Sequence, residues 1–343
     1  MGVFDALIGQ EPAVAQLRRA VSGGAHAMTH AWLFTGPPGS GRSVAAKAFA
    51  AALQCDSGGC GECAACRMVM AETHPDVAVV RVETLSIKVD QTRRLVQHSS
   101  MSPTLRHWQI VILEDVDRIT ERGADALLRG IEEPGPKTVW LLCAPSPEDV
   151  PVTIRSRCRQ VALTTPAATA VAALLQSEGV AADKAEWAAR VSGGHIGRAR
   201  LLATEPSAEA ARERVLRLLR ELASLGACLR AAEELVAFSK EGVPSRPKDD
   251  AERAQAKRLQ RDAIELALGE YTAYLRDVLV LQSGAGSPLL NAELAEELAA
   301  LAESSTASAT LAKLDAIEAC RAALAQNAAV PLALESLFIS LRG

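Results

Sequence analysis

Aromatic residues are scarce in this sequence and basic residues are not in excess, which limits the functions open to it. Only 3% of the 343 residues are aromatic, and the formal net charge is −4. Proteins that bind single-stranded nucleic acid combine stacking aromatics with a positively charged groove, and duplex-binding domains carry a basic face. We therefore expect any contact with DNA to be local.

Targeting segments are also missing. No uninterrupted apolar run approaches the roughly 20 residues that a membrane-spanning helix needs. The opening residues Met1 to Ala6 lack the charged and then apolar pattern of an export signal, and Ala6 stands where a myristoylation site has Ser or Thr. The sequence therefore predicts a cytoplasmic protein without a membrane partner, and its length allows two or three domains.

A phosphate-binding loop is nearly complete between an apolar run at 31–35 and an alanine-rich helical segment at 44–53. In the pattern G-x-x-x-x-G-K-[ST], backbone N–H groups cradle phosphates, the lysine reaches the outer phosphates and the hydroxyl holds magnesium. A Gly/Pro-rich turn that only joins a strand to a helix is the alternative. The candidate phosphate-binding residues are Gly36, Gly39, Ser40, Gly41, Arg42 and Ser43.

Arg42 occupies the lysine position of this loop. Arginine keeps the positive charge, but its planar fork on a longer stem does not replace a compact ammonium. Since a misplacement of about 1 Å can cost roughly 100-fold in rate, we expect a loop that does not support hydrolysis. Binding of ATP or ADP without hydrolysis stays open.

The acidic partner of the loop is predicted at Glu114 and Asp115, which follow the apolar run at 108–113. A hydrolysing site of this kind normally presents aspartate for magnesium and then glutamate for the attacking water. Here the order is reversed, which moves each carboxylate by one methylene. Solvated acids at an ordinary strand end are the alternative.

Four of the eight cysteines cluster in the order C-x4-C-x2-C-x2-C. Four thiolates at such spacing form a closed, tetrahedral and structural zinc site. An iron–sulfur cluster is the alternative. In its usual motif, three residues precede the last cysteine and a proline follows it, whereas here Cys66 comes after two residues and is followed by Arg67. Disulfides and inert thiols also stay open, and His74 could replace one sulfur, although it fits a turn more simply. The predicted ligands are Cys55, Cys60, Cys63 and Cys66.

Strand and helix patterns alternate as far as residue 165, which predicts an α/β fold with a parallel sheet and ligands at the carboxyl ends of its strands. Short alanine-rich helices then predict a helical lid at 166–206. Helical patterns continue through 207–343, which predicts an all-α module for packing or assembly. The polar stretch 239–257 is expected to be a loop or a disordered link.

These motifs occur in an order that resembles the clamp-loader subunits of bacterial DNA polymerase III, within the AAA+ ATPases. The resemblance rests on the phosphate loop, the cysteine cluster after its helix, and three short motifs, and it covers roughly the first 200 residues. Within the family, motor subunits carry intact nucleotide sites and the delta-prime type carries a degraded one, so Arg42 and the Glu114–Asp115 order favour the delta-prime type. The short motifs are Thr73-His74-Pro75-Asp76, Ala126-Leu127-Leu128 with Glu132-Glu133-Pro134, and Thr153-Ile154-Arg155-Ser156-Arg157-Cys158.

The resemblance also implies roles for particular residues. Arg157 matches the arginine finger that the family projects into a neighbouring subunit's nucleotide site, although Arg155, Arg157 and Arg159 could also form a solvated basic edge. Arg198 matches the sensor arginine of the lid, with a doubtful role beside an altered site. Ala144-Pro145 stands where the family has a polar sensor, and Arg93 and Arg94 could face DNA phosphates.

The sequence therefore favours a non-hydrolysing subunit that completes a ring with motor subunits and a delta subunit and helps to load a sliding clamp onto primed DNA. An active motor ATPase that tolerates Arg42 is the second hypothesis. A zinc-dependent redox or nucleic-acid module built on the nucleotide fold is the third.

Overall fold

A computed structural model describes residues 2–342 except 24–27, 82–86, 88, 106, 242 and 244–249. The chain divides into two compact units, Met1–Arg200 and Leu201–Gly343. The predicted lid at 166–206 lies mainly in the first unit, and its separation from residues 1–165 as a domain stays a prediction. None of the described helices combines the length and the apolar composition that a membrane span requires.

The first unit is built on a parallel sheet of five strands in the order β2-β3-β4-β1-β5. The strands are β1 (Ala31–Thr35), β2 (Val77–Val80), β3 (Gln109–Leu113), β4 (Thr138–Ala144) and β5 (Arg159–Ala162). Every residue of β1, β3 and β4 is buried, as expected for the central strands of a parallel sheet covered on both faces.

Helices cover both faces of this sheet. Trp32 and Phe34 pack with Phe49 on one face, while Leu33 and Trp140 pack with Leu127 on the other. The helices of this unit are α1 (Glu11–Ser22), α2 (Arg42–Leu53), α3 (Ala64–Met70), α4 (Val89–Ser99), α5 (Glu121–Glu132), α6 (Val152–Arg155), α7 (Ala168–Ser177), α8 (Ala182–Val191) and α9 (Ile196–Thr204), of which the last crosses the boundary between the units.

The described part of the second unit is helical throughout. Its core joins Leu216, Leu235, Leu268, Tyr271 and Phe338, all buried, so residues from distant parts of the sequence share one apolar interior. Its helices are α10 (Pro206–Arg220), α11 (Leu225–Phe238), α12 (Asp250–Ser283), α13 (Ala295–Ser304), α14 (Ala307–Ala325) and α15 (Val330–Arg342).

The predicted α/β class, the helices after it and the all-α C-terminal part are thus confirmed. The expectation for 239–257 was wrong at its end, because residues 250–257 belong to α12. Residues 250–257 are the first part of this helix. The expectation for residues 242 and 244–249 falls outside the described residues. The sequence also did not predict β5 or α3.

Candidate functional site

The phosphate-binding loop follows β1 at the carboxyl end of the sheet and leads into α2, as predicted. Gly39 and Gly41 have φ angles of 83° and 92°, a region that favours glycine. Gly36 is tightly enclosed, since a Cβ there would lie 2.5 Å from the carbonyl oxygen of Leu163. The loop therefore has the tight curvature that the glycine pattern predicts.

Arg42, the first residue of α2, is bonded to its own loop. Its Nη1 donates to the carbonyl oxygen of Gly36 at 2.5 Å. In a hydrolysing site, the cation at this position must be available to the outer phosphates of a nucleotide. Part of the Arg42 guanidinium is instead committed to the protein backbone.

The acidic residues at the end of β3 are arranged differently from a magnesium site. Glu114 Oε2 lies 3.5 Å from Arg81 Nε, and Arg81 also pairs with Glu72, which Lys47 contacts at 3.2 Å. Hydrogen bonding from Arg81 and Lys47 outweighs burial and lowers the pKa of Glu72 to about 2. Glu114 thus ends a chain of charges that joins α2, β2 and β3.

Asp115 begins a turn after β3 and has a left-handed backbone conformation, with φ of 55°. Burial raises the pKa of the nearby Asp117 carboxyl, and the negative charge of Asp115 adds to this effect. Oε1 of Glu114 and Oδ1 of Asp117 are buried without a hydrogen-bond partner. The carboxylates that follow β3 are therefore partly buried or paired within the protein.

His195 provides a contact to the loop that the sequence analysis did not identify. A Cβ placed on Gly39 would lie 2.4 Å from His195 Cγ, so the imidazole packs directly against this glycine. Burial lowers the pKa of His195, and its Nδ1 accepts the backbone N–H of Arg198 at 3.2 Å. Arg198 lies on α9, three residues after the histidine that reaches the loop.

Gln10 is a second residue that the sequence analysis missed. Its side chain donates to the carbonyl oxygens of Ser40 and Thr164 and accepts the N–H of Thr164 at 3.0 Å. It therefore ties the phosphate loop to the connection after β5. Oγ of Ser40 is buried without a hydrogen-bond partner. No local pattern marks Gln10, because both of its contacts depend on the folded chain.

These features do not fit magnesium-dependent nucleotide hydrolysis. Arg42 bonds to Gly36, Glu114 faces Arg81, and Gly39 is in contact with His195. The first-sensor position also lacks the polar side chain that the family has there, because it is occupied by Ala144 and Pro145. Ala144 is buried, and the carbonyl oxygen of Pro145 accepts the N–H of Gly36. The structure thus adds contacts that disfavour hydrolysis to the departure that Arg42 makes in the sequence.

The three arginines after α5 have different environments. Arg155 lies 3.5 Å from Glu148, and Arg159 stacks over the ring of Trp32 at 5.2 Å. Arg157 donates to the carbonyl oxygen of Thr153 at 2.8 Å and lies 2.6 Å from Glu132, with 42% of its side chain exposed. They therefore do not form a uniform basic edge. Of the other candidates, Arg93 is exposed beside Asp90 on α4, and Arg94 is exposed on the same helix.

The four predicted metal ligands meet in space. Their Sγ atoms all lie within 4.8 Å of one another, and Cys55 lies 3.7 Å from both Cys60 and Cys63. Gly58, Gly59 and Gly61 have positive φ angles and turn the chain between the cysteines. The arrangement could hold a metal ion, and His74 is not part of it, because its Nδ1 accepts the N–H of Asp76.

The thiols of the cluster differ in how readily they ionise. Burial opposes ionisation of Cys55, but backbone N–H groups from Cys60, Gly59 and Ser57 lower its pKa to about 6. Burial raises the pKa of Cys66 to about 12. A divalent cation deprotonates a coordinating thiol, so it would overcome this effect of burial.

Comparisons with known proteins find similar subunits of DNA polymerase III. A family model described as "DNA polymerase III, delta subunit" matches residues 9–167, and one described as "DNA polymerase III, delta subunit, C terminal" matches 271–342. DNA polymerase III subunit delta' of Pseudomonas aeruginosa is 40% identical over 154 residues, which are 43% of this chain and 47% of that protein. DNA polymerase III subunit tau of Bacillus subtilis is 31% identical over 162 residues, or 46% of this chain and 28% of that protein.

Among solved structures, a gamma subunit-related protein of Thermotoga maritima has a TM-score of 0.43 and 16% identity, covering 96% of this chain and 98% of that one. The RuvB motor of the same organism has a TM-score of 0.42 and 17% identity, covering 69% and 75%. The matched stretch spans less than half the length of the curated relatives named above. The two family models, one in each unit, and the delta' relative support the assignment suggested by the motifs: the chain belongs to the delta-prime family of DNA polymerase III subunits.

Proposed function

We propose that the chain is a clamp-loader subunit that does not hydrolyse ATP and that supplies Arg157 to the nucleotide site of a neighbouring motor subunit. The observation that carries the first part is the bond from Arg42 to the Gly36 carbonyl, which commits the loop's own cation to the loop. Its partners would be motor subunits, a delta subunit, the sliding clamp and primed DNA, and its compartment the cytoplasm.

Arg157 suits the second part of the proposal because its guanidinium is at the surface and held near the end of α6. A guanidinium from a neighbouring protein can stabilise charge on a transferring phosphoryl group, an effect worth about 10³ to 10⁵ in rate. The side chain of Arg157 is 42% exposed, against 30% for Arg155, and Arg159 lies over the ring of Trp32, so Arg157 is the best placed of the three.

We also propose that the cysteine cluster binds one Zn²⁺ through Cys55, Cys60, Cys63 and Cys66. Four sulfurs around zinc at about 2.3 Å stand about 3.8 Å apart in a tetrahedron. The sulfur–sulfur distances of 3.7 Å at Cys55 agree with this geometry. Since all four positions would be filled by protein, the ion's role would be structural.

ATP turnover separates this proposal from the motor-ATPase alternative. We expect the purified chain to release phosphate at background rate only. Arg42→Lys should leave that rate unchanged, because Glu114 would still face Arg81 and His195 would still pack against the loop. Rapid magnesium-dependent turnover by the isolated chain would favour the motor subunit.

The finger is tested in a complex reconstituted with motor subunits, delta subunit, clamp and primed DNA. We expect Arg157→Ala to lower turnover by the complex by at least about 100-fold at the site it serves. Arg155→Ala serves as the matched control and should have a much smaller effect. Equal effects of the two changes would contradict the role of Arg157.

A further inference from the structure

We propose that Glu132 is a positioning residue for Arg157, holding the guanidinium in the direction from which it would enter a neighbouring site. This inference rests on the proposed role of Arg157 as a finger. Nη2 of Arg157 lies 2.6 Å from Oε1 of Glu132, while Nη1 donates to the carbonyl oxygen of Thr153 at 2.8 Å and to Oγ of Ser156 at 3.3 Å. The two terminal nitrogens are thus held by different partners.

Glu132 is itself in a well-fixed place. It is the last residue of α5, and the residue before it, Ile131, is fully buried. The carbonyl oxygen of Ile131 accepts a hydrogen bond from Nε2 of His30 at 2.8 Å, which ties the end of the helix to the start of β1. A carboxylate at such a position is a stable reference point for a long and flexible arginine.

The advantage of this arrangement is pre-organisation. An arginine side chain has many rotamers, and ordering it at the moment of reaction costs conformational entropy. A partner that limits those rotamers beforehand makes the catalytic geometry more frequent. The carboxylate does not remove the charge that the finger needs, because a guanidinium stays protonated in proteins.

Glu133 provides a matched control in the same chain. It follows Glu132 directly, carries the same charge and is also exposed, but Arg157 pairs with Glu132. A general effect of negative charge near the interface would appear with either glutamate. A positioning effect would appear with Glu132 alone.

The experiment measures kcat and KM for ATP in the reconstituted complex with Glu132→Gln, Glu132→Asp, Glu133→Gln, Arg157→Ala and the double variant Glu132→Gln/Arg157→Ala. Because half-exposed ion pairs are weak, we expect Glu132→Gln to lower kcat about two- to fivefold with KM unchanged. Glu132→Asp should recover part of the loss, and Glu133→Gln should match the wild type. In the Arg157→Ala background, Glu132→Gln should have no further effect, as expected for coupled residues.

The outcomes separate this inference from the proposed function. If Arg157→Ala lowers kcat but Glu132→Gln leaves it unchanged or raises it, the positioning role is wrong and the finger stands. If Arg157→Ala has no effect, the finger itself is wrong. Thermal unfolding of the isolated chain and size-exclusion analysis of the complex should be the same for Glu132→Gln and wild type, and loss of assembly would also count against a positioning role.

Discussion

Individual side chains in the altered phosphate loop make contacts within the protein while the backbone keeps the curvature of the motif. The glycines retain their positive φ angles, so the backbone still curves around a small space. Arg42 retains a positive charge but bonds to Gly36, and His195 packs against Gly39. The loop thus serves as a contact between parts of its own unit, which gives its glycines a structural reason to be there.

The contact between Gly39 and His195 leads to a prediction about stability. Gly39→Ala adds a methyl group that would meet the imidazole at 2.4 Å and also strains a backbone with φ of 83°. Gly41→Ala is the matched control, since its φ is 92° but nothing lies within 4 Å of the added group. We expect Gly41→Ala to cost about 1–2 kcal/mol of unfolding free energy, and Gly39→Ala about 1–3 kcal/mol more.

Chemical denaturation of the two variants measures this difference. His195→Ala in the Gly39→Ala background should recover much of the additional loss, because it removes the overlap. Equal destabilisation by the two alanines would show that His195 does not press on the loop.

Two histidines, the buried His74 and the partly buried His195, predict a dependence of stability on pH. Burial lowers the pKa of both His74 and His195, and in each the Nδ1 atom accepts a backbone N–H, which requires the unprotonated nitrogen. Since the unfolded chain binds a proton more readily, their contribution is complete above about pH 6.5 and is lost as pH falls through the lower folded pKa values.

Unfolding free energies measured between pH 7.5 and 5.5 test this effect. The wild type should lose stability as pH falls, and a His74→Gln/His195→Gln variant should lose less over the same range. A wild-type slope that survives in the double variant would assign the effect to other groups.

The proposed zinc would make the stability of the cysteine cluster depend directly on a ligand. The cluster connects α2 to α3, and Gly59 packs against Val3 while its carbonyl oxygen accepts the Val3 N–H. A bound ion would therefore hold the first turn of the chain as well as the two helices. We expect one zinc per chain, lost in Cys63→Ser and kept in Cys158→Ser, whose cysteine lies outside the cluster.

Metal analysis and thermal unfolding check this expectation. With zinc at 100 times its dissociation constant, binding contributes about 2.7 kcal/mol, which for a unit of this size corresponds to about 5–10 °C. Chelation should lower the transition temperature of the wild type to that of Cys63→Ser. Stoichiometric iron or an unchanged transition temperature would argue against structural zinc.

A buried charge network links three elements of the second unit. Arg212 on α10 is 7% exposed, with Nε 3.3 Å from Glu270 on α12 and Nη2 3.0 Å from Glu293. Removing a buried partner leaves an uncompensated charge, so Arg212→Met should cost about 3–5 kcal/mol in urea denaturation. Arg217→Met, on the same helix but half exposed beside Glu234, should cost about 1 kcal/mol or less. A small effect at both positions would mean that the network is solvated.

Elements differ in how far the sequence predicts them. β1 was predicted at its observed bounds, because four of its five buried residues form the continuous apolar run typical of a parallel sheet. β5 was missed because three of its four residues are exposed, and its place is fixed by pairing with β1 rather than by its own composition. The start of α12 was missed because residues 250–257 are charged or amide residues and alanines, so the sequence there has no stripe of large apolar residues.

The candidate site was predictable where residues lie close in sequence. The loop glycines and the cysteines follow fixed spacings, and both groups have the expected geometry. The pairing of Glu114 with Arg81 and the contact of His195 with Gly39 join residues that are far apart in the sequence. Such contacts depend on the order of the strands and on the position of α9, which no local pattern specifies.

At the scale of the whole molecule, the division into two units follows from two kinds of interior. The first unit buries both faces of a sheet, whereas the second buries the apolar sides of helices against one another. Every residue of the helical core lies between Val215 and Leu341. Glu270 and Glu293, the partners of Arg212 in the buried network, also lie within that range, and Arg212 precedes it on α10.

A fragment of residues 205–343 should therefore fold by itself. Its core is complete without residues 1–204, and domains of this size typically have unfolding free energies of about 5–15 kcal/mol. We expect a helical circular dichroism spectrum and one cooperative urea transition, with Arg212→Met shifting the midpoint to lower urea in the fragment as in the full chain. Tyr271 and Tyr274, the only tyrosines in the sequence, are buried in this core and should give a near-ultraviolet signal that disappears in the same transition. Helical content without that signal or without cooperativity would mean that the second unit needs the first in order to pack.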